Sequence, residues 1–373
     1  MANLQECLDY FKKVSENPKN QLKQYLEAGK QVIGCFPVYT PEVLADAAGI
    51  VPMGMWGAQM EVVRSKKYLV PFACPIMQSC MELALTGGYE GVKAVMIPSM
   101  CDTLRCVTQD FKLGVEGIAC IPYTLTQNRK LPAAMEYLIA EYTYVKERIE
   151  ELYGVNITEE AIDESIERYN AHNREMRRFA SLANQHLDVI TPTVRHHVFK
   201  SAWFMTKAEH LELMIRLNQE LEAREPFAYS GKRVILTGIT AEPDGLLQIL
   251  EDHGLAVVGD DLAQEMRQYR TDIPEGGHGI YRLAAQWRDR IDPMAHDDEL
   301  RRTDILESLL KENDAKAVIV CLMKFCDPEE YEFVAYNREL REKGYQVLSL
   351  DIDQQPAGYD QARTRIETLA ELL

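Results

Sequence analysis

Cysteine thiols are the side chains of this chain best suited to metal or redox chemistry, and four of its nine cysteines occupy one kind of position. Open α/β sheets bind ligands at the carboxyl ends of their strands, and a helix N-terminus lowers the pKa of a thiol. A single cysteine at such a turn is usually a packing residue. Several at matched positions predict a shared ligand. The four lie at predicted turns between strand and helix: Cys35, Cys74, Cys101 and Cys326.

The surroundings of Cys326 show this pattern most clearly. Residues 317–323 form a short apolar run rich in β-branched side chains, which is typical of a strand buried on both faces of a parallel sheet. Asp327 is predicted to cap the helix that follows, with Pro328 at its first position. Cys326 is therefore predicted at the turn itself, beside a helix N-terminus.

The spread of the thiols along the chain bears on the kind of metal site. No C-x-x-C pair is present, so any site must combine distant segments. Thiolates from separate loops, shielded by Met and Phe side chains, suit an iron–sulfur cluster. A four-thiolate zinc site is an alternative, although zinc ligands usually come in close pairs. Three cysteine pairs leave open a larger cluster with six thiols: Cys74/Cys80, Cys101/Cys106 and Cys321/Cys326.

The elements that must position these thiols are predicted from the alternation of strands and helices. Two parts of the chain, residues 1–155 and 229–373, each read as a doubly wound parallel-sheet α/β domain, Rossmann- or flavodoxin-like. Residues 156–228 form a helical segment and linker between them, and the thiols are expected in the interdomain cleft. The predicted strands are Gln31–Phe36, Ile50–Trp56, Val92–Pro98, Gly117–Tyr123, Arg233–Ile239, Leu255–Val258, Ala317–Met323 and Tyr345–Ile352.

Composition narrows the classes of function. A formal net charge of −17 argues against a nucleic-acid partner, because phosphate binding needs a basic face. No apolar run approaches the roughly 20 residues of a membrane span. The N-terminus is amphipathic and carries acids, unlike a signal peptide. We therefore expect a cytoplasmic protein without a membrane partner, whose cysteines serve metal or redox chemistry and not disulfides.

Two other polar pairs carry weaker signals. His196 and His197 have no acidic or cysteine neighbour in sequence, so surface or capping roles are predicted for them. Asp260 and Asp261 follow a predicted strand end, where aspartate most often belongs to a turn or helix cap. No G-x-x-x-x-G-K-[ST] or G-x-G-x-x-G loop is present, so the chain has no nucleotide-phosphate loop of its own.

Five segments together resemble the 2-hydroxyacyl-CoA dehydratase family, specifically its smaller β subunit. The resemblance spans essentially the whole chain, and the same family includes benzoyl-CoA reductase subunits and double-cubane cluster proteins. It implies that Cys74, Cys101 and Cys326 bind a [4Fe-4S] cluster, with Cys35 as a candidate fourth ligand. The segments are IGCFPVYTPEVLADAAGIVPMGMWG, FACPIMQSC, MCDTL, GDDLAQE and MKFCDPEEYE.

The resemblance also implies an activity and partners. The family works as a heterodimer in anaerobic amino-acid fermentation, and a separate ATP-dependent iron–sulfur activator injects one electron. The electron converts an (R)-2-hydroxyacyl-CoA into a ketyl radical, and loss of water gives the (E)-2-enoyl-CoA. This chain is expected to relay the electron to a larger α subunit, which holds most of the substrate, so no catalytic acid or base is assigned here.

Two other functions stay open at this point. A homodimeric reductase with an [8Fe-9S] double-cubane cluster, or a benzoyl-CoA-reductase-like enzyme, would use the paired cysteines. A non-catalytic protein with a structural zinc ion belongs to a different class. The number of iron atoms per chain distinguishes the double-cubane reductase from the dehydratase that the resemblance implies. Visible colour distinguishes iron from zinc, because zinc is colourless and redox-inert.

Overall fold

Two four-stranded parallel sheets form the frame of the computed structural model, which describes residues 2–291, 301–354 and 358–373. Their strand orders are β2-β1-β3-β4 and β6-β5-β7-β8, so both units have the same topology. The strands are β1 Val32–Cys35, β2 Val51–Gly54, β3 Ala94–Pro98, β4 Ala119–Tyr123, β5 Lys232–Gly238, β6 Leu255–Leu262, β7 Ala317–Met323 and β8 Gln346–Ile352. This arrangement confirms the predicted α/β fold of two doubly wound parallel sheets.

Helices cover both sheets and form the predicted helical layer between the units. None of them, in the part of the chain that the structure describes, is long and apolar enough to cross a membrane. They are α1 Ala2–Glu16, α2 Pro18–Glu27, α3 Glu42–Ala47, α4 Pro75–Leu85, α5 Asp102–Gly114, α6 Pro132–Tyr153, α7 Glu159–Ala183, α8 Pro192–Ser201, α9 Lys207–Glu222, α10 Asp244–Asp252, α11 Gly279–Asp289, α12 Arg302–Glu312, α13 Asp327–Glu342 and α14 Asp360–Leu372.

The predicted domain boundaries fall in connecting segments. The boundary between residues 155 and 156 lies between α6 and α7, and the boundary between residues 228 and 229 lies between α9 and β5. These boundaries stay predictions, because the helical layer packs on both units. Helix α6 packs on β4, α3 packs on α7, and α10 packs on α8.

Strand β6 is the one that departs most from the sequence prediction. It was expected to end at Val258, but it continues to Leu262, and its pairing with β5 shifts register between Val234 and Ile235. All eight residues of β6 are buried. The other strands end within two residues of their predicted bounds. The extension places two aspartates inside a buried strand, which requires cationic partners from elsewhere.

The apolar core does not stop at the unit boundary. One cluster of buried side chains includes residues of β1 and β3 in the first sheet and of β5 and β7 in the second. A separate cluster joins α1 to the helical layer, and a third lies on the opposite face of the second sheet. Because one cluster spans both sheets, hydrophobic burial fixes the two units against each other.

Gly238, at the end of β5, shows how closely the second sheet is packed. Its φ is +129°, and a Cβ atom there would lie 2.1 Å from the carbonyl oxygen of Cys321 on the neighbouring strand. This carbonyl is part of a hydrogen-bonded strand, so it cannot move away from an added Cβ atom as a flexible side chain could. Gly344, which follows α13, has a φ of +90° but open space around a built Cβ.

These two glycines allow a matched stability test. Gly344→Ala introduces only backbone strain, about 1–2 kcal/mol. Gly238→Ala adds a clash with the adjacent strand, and its free energy of unfolding should fall by about 1–3 kcal/mol more. Urea denaturation followed by circular dichroism measures both. Equal losses for the two variants would contradict the close approach of β5 and β7.

Candidate metal centre

Cys74 begins helix α4 as its N-terminal capping residue, as predicted, with Pro75 next to it in the first turn. The side chain of Cys74 accepts no capping hydrogen bond, but the nearby backbone amides of Ile76 and Met77 act to lower its pKa. Burial raises the pKa of Cys74 to about 12, against the lowering effect of these amides. The thiol therefore keeps its proton near neutral pH unless a bound cation replaces that proton.

Cys101 occupies the equivalent place at the start of α5. Its sulfur accepts a hydrogen bond from the amide of Leu104 at 3.5 Å. Burial raises the pKa of Cys101, while the amides of Thr103 and Leu104 oppose that rise. The side chain is half-buried, so the thiol is shielded without being sealed inside the core.

Cys326 caps α13, so the prediction that Asp327 is the capping residue is wrong by one position. The amide of Glu330 donates to the carbonyl of Cys326 at 3.0 Å, which makes Asp327 the first helical residue. Burial, followed by the nearby carboxylate of Glu329, raises the pKa of Cys326 well above its usual value. The thiol itself is therefore located at the helix end.

The structure brings these three thiols together from helices of both units. Cys101 raises the pKa of Cys74, and both of these thiols raise the pKa of Cys326. Asp327, on the second unit, also raises the pKa of Cys74 and that of Cys101. All three cysteines also pack against the apolar cluster that spans the two sheets. The thiols thus meet where the first and second α/β units face each other.

The spacing of the sulfur atoms bears on what they could hold. A tetrahedral zinc ion with bonds of about 2.3 Å holds its thiolates roughly 3.8 Å apart. Among the described residues, Glu16, His197 and Asp244 form a group with all ligand atoms within 4.8 Å of one another, and the three cysteines do not. The three thiols are therefore not arranged as a compact three-ligand group for a single ion.

Cys35 lies in a different environment. It is the last residue of β1 and fully buried, and its sulfur points to the carbonyl of Ile33 at 4.0 Å. Burial and the carboxylate of Glu42 raise its pKa, while Lys207 lowers it. The interactions that shift the pKa of Cys35 involve none of the three converging thiols. Its geometry gives no support to a role as fourth ligand.

The other cysteines of the three pairs differ from one another. Cys80 is fully buried, its thiol donates to the carbonyl of Met55 at 3.1 Å, and Cys74 contributes to its raised pKa. Cys106 is exposed on α5, whereas Cys321 is buried within β7. Cys80 is therefore the one member of this second set that interacts with a converging thiol.

A buried network of charges fixes the first turn of α13, next to Cys326. Arg302 donates to both carboxylate oxygens of Glu329, at 2.6 and 3.1 Å, and Arg267 donates to the same carboxylate at 2.9 Å. Burial opposes ionisation of Glu329, but the two guanidinium groups prevail and lower its pKa. The sequence does not indicate this network, because Arg267 and Arg302 come from distant segments and a glutamate in a first helical turn is common without a buried partner.

Asp260 and Asp261 extend the same network, so their predicted place in a turn is wrong. Both lie in β6 and are buried. Arg195 donates to Asp260 at 2.7 Å, and Arg267 donates to Asp261 at 3.2 Å. Buried carboxylates persist when such partners neutralise them. The arginines come from distant segments, and no local pattern indicated the pairing.

The predicted surface or capping roles of His196 and His197 are also wrong, because both lie buried in α8. The Nδ1 atom of His196 is 2.7 Å from Glu265. Burial disfavours a charge on His196, but Glu242 and Glu265 outweigh it and raise its pKa to about 9. Burial lowers the pKa of His197 to about 4, despite the nearby carboxylate of Asp244.

Gln354, just beyond β8, links the second unit directly to the helix that Cys74 caps. Its Oε1 atom accepts from the hydroxyl of Ser79 on α4 at 2.6 Å, and its Nε2 atom donates to the carbonyl of Trp56 at 2.8 Å. The backbone carbonyl of Gln354 accepts from the amide of Met60 at 3.0 Å. The side chain is buried. These bonds fix α4 against the second unit.

Two four-stranded parallel sheets, each interleaved with helices and sharing one apolar cluster, define a two-unit α/β protein. The model of the family described as 2-hydroxyglutaryl-CoA dehydratase, D-component, matches residues 37–373. The chain belongs to this family of 2-hydroxyacyl-CoA dehydratases, which confirms the resemblance noted in the sequence. It is accordingly a dehydratase subunit, a component of a hydro-lyase.

Relatives of known activity match along the full chain. The (R)-phenyllactyl-CoA dehydratase beta subunit of Clostridium sporogenes is 41% identical over 100% of both chains. The lactoyl-CoA dehydratase subunit beta of Anaerotignum propionicum is 39% identical, also over 100% of both. The (R)-2-hydroxyglutaryl-CoA dehydratase subunit beta of Acidaminococcus fermentans is 37% identical over 98% of both.

The charge network behind Cys326 is testable by one substitution. Glu329→Gln leaves Arg267 and Arg302 buried without their full counter-charge, and the free energy of unfolding should fall by about 3–5 kcal/mol. Glu330→Gln, at the adjacent exposed position, is the matched control and should change it by less than about 0.5 kcal/mol. Urea denaturation compares the two. Similar values for both variants would show that the network does not stabilise α13.

Proposed function

We propose that this chain is the β subunit of an oxygen-sensitive (R)-2-hydroxyacyl-CoA dehydratase, in which Cys74, Cys101 and Cys326 hold a [4Fe-4S] cluster. The observation that carries the proposal is the meeting of three half-buried thiols from three helix N-termini. The proposed reaction of the whole assembly is elimination of water to an (E)-2-enoyl-CoA through a ketyl radical. When bound, the cluster supplies one-electron transfer at low potential.

The residues of this chain have three tasks in that proposal. The amide of Leu104 donates to the sulfur of Cys101, and the backbone amides at the starts of α4 and α13 lower the pKa of Cys74 and Cys326, so the helix starts favour thiolate ligands and tune the potential of what they bind. The shared apolar cluster limits access of water and lowers the local dielectric. The carboxylates of Asp327 and Glu329 add negative charge near the thiols, which favours the oxidised, more positive state of a bound group.

The remaining iron position requires a ligand from a source other than Cys35. Three thiols converge, while Cys35 faces Glu42 and Lys207 in the first unit. A cluster bound by three cysteines keeps one iron without a protein thiolate. The proposed role of this chain is that of an electron relay, and no acid or base of its own is required for the chemistry at the substrate.

The proposal includes two partners: a larger α subunit and an ATP-dependent iron–sulfur activator. Exposed apolar side chains beside the thiol site support a docking surface there. Phe72 precedes Cys74 by two positions and is 67% exposed, and Tyr331 on α13 is 83% exposed. We assign this surface to the α subunit, because an electron relay must lie close to its acceptor. The acyl-CoA then binds mainly on that subunit.

The acyl group of the substrate is proposed only as a class. The relatives named above act on phenyllactyl, lactoyl and 2-hydroxyglutaryl thioesters at similar identities to this chain. Similar β subunits therefore belong to enzymes that act on different acyl groups. This agrees with a substrate pocket that lies on the larger subunit. The substrate class is therefore an (R)-2-hydroxyacyl-CoA.

Iron content tests the cluster assignment. Cys326→Ser should reduce iron from about four per chain to near zero and abolish activity. The fold should persist, because serine is a good helix-capping residue. Cys106→Ser, on an exposed part of α5, should keep iron, brown colour and activity.

Three results would contradict this assignment in different ways. A loaded and active Cys326→Ser protein would exclude Cys326 as a ligand. About eight iron atoms per wild-type chain would favour the double-cubane alternative, which the effect of Cys74 on the pKa of Cys80 supports. Colourless protein containing zinc would exclude the redox function, because zinc has no visible absorption.

Anaerobic co-purification tests the partner surface. Tyr331→Glu should weaken binding of the larger subunit by about 2 kcal/mol, roughly thirtyfold, if Tyr331 is a central contact. Iron content should not change. Leu372→Glu, at an exposed apolar position at the end of α14, is the control and should co-purify as wild type does. Equal recovery of the larger subunit with both variants would remove this surface from the proposed interface.

A further inference from the structure

A second group of metal-binding side chains lies where α1, α8 and α10 meet. Glu16 is the last residue of α1, His197 lies on α8, and Asp244 is the first residue of α10. One ligand atom from each lies within 4.8 Å of the other two. The group contains no cysteine, and none of its members belongs to the thiol site.

The hydrogen bonds of Ser15 support one tautomer of His197. The Ser15 hydroxyl lies 2.9 Å from the carbonyl of Lys12, to which it can donate, and its oxygen can then accept. The Nδ1 atom of His197 lies 2.7 Å from that oxygen, and we assign the ring proton to Nδ1 on this basis. In the neutral ring, Nε2 then has a lone pair and no proton.

That lone pair faces the two carboxylates. His197 is 3% exposed, and its Nε2 atom is buried without a hydrogen-bond partner. Nε2 lies 3.4 Å from Oδ2 of Asp244, but with this tautomer neither atom can donate to the other. Nζ of Lys12 lies 3.7 Å from Oε1 of Glu16 at an exposed position, whereas the buried lone pair of His197 Nε2 and the carboxylate of Asp244 have no cation between them, so a metal ion would replace the Lys12 ion pair and neutralise the group.

We propose that Glu16, His197 and Asp244 bind a divalent transition-metal ion of the zinc class. Imidazole suits zinc and its neighbours, whereas magnesium and calcium prefer oxygen ligands alone. Three protein ligands leave at least one position for water. Ser15 holds the ring in the ligating tautomer, as outer hydrogen bonds do in zinc sites.

The fold gives such an ion both access and a structural task. His197 lines a surface groove of about 470 Å³ between α1 and α8. Glu16 is exposed, so the group is open to solvent on the side of that carboxylate. Because α1 lies before the first sheet in the chain and α10 belongs to the second unit, a bound ion would tie the N-terminal helix to the second unit.

Equilibrium dialysis of the full chain, as purified, against buffered Zn²⁺ tests the site. Zinc bound by the nine cysteines is common to all variants, so the difference between variants isolates this site. We expect wild type to bind one more zinc per chain than Glu16→Gln/Asp244→Asn. Zinc should also raise the thermal midpoint of wild type and not that of this double variant.

Two further variants make the outcome decisive. Glu6→Gln/Asp252→Asn makes the same charge changes on exposed positions of α1 and α10, and should bind zinc as wild type does. Ser15→Ala should keep the zinc capacity but lose about tenfold or more in affinity. Equal zinc binding by wild type and Glu16→Gln/Asp244→Asn overturns the proposal, whether or not the cysteines hold a cluster.

Discussion

The cost of holding thiolates away from water is the constraint on which this structure depends. Burial raises the pKa of Cys74, Cys101 and Cys326, so each thiol resists ionisation in the folded protein. Placing each sulfur at a helix start offsets part of that cost with backbone amides. The three helix N-termini therefore act in the same direction, by lowering the cost of ionising thiols that burial disfavours.

Everything around the thiols preserves that arrangement. The two sheets share one apolar cluster, and Gln354 bonds the second unit to α4. The buried arginines behind α13 fix the turn that carries Cys326. Each contact involves a different part of the chain, but all of them position the ends of the three helices.

The features that could be predicted from the sequence are those set by residues close together in the chain. Strands rich in β-branched residues, prolines in first helical turns and the cysteines beside them were recognisable without coordinates, and so was the family. Pairings between distant segments were not. Asp261 resembled a turn residue because its partner Arg267 neutralises it only after folding, and His197 resembled a surface residue because Ser15 approaches it from another helix. The same limit applies to Cys35: its place at a strand end made it a candidate fourth ligand, its neighbour Glu42 could not be foreseen, and the ligand role stays a prediction.

The continuous core between the two sheets has a consequence for reorganisation. Moving the units apart would expose apolar side chains of both sheets and break the buried bonds of Gln354, so the surroundings of the thiols behave as one rigid body. A rigid, preorganised environment changes little when the charge inside it changes. The electron relay proposed for this chain would therefore lose little energy to nuclear rearrangement in each transfer.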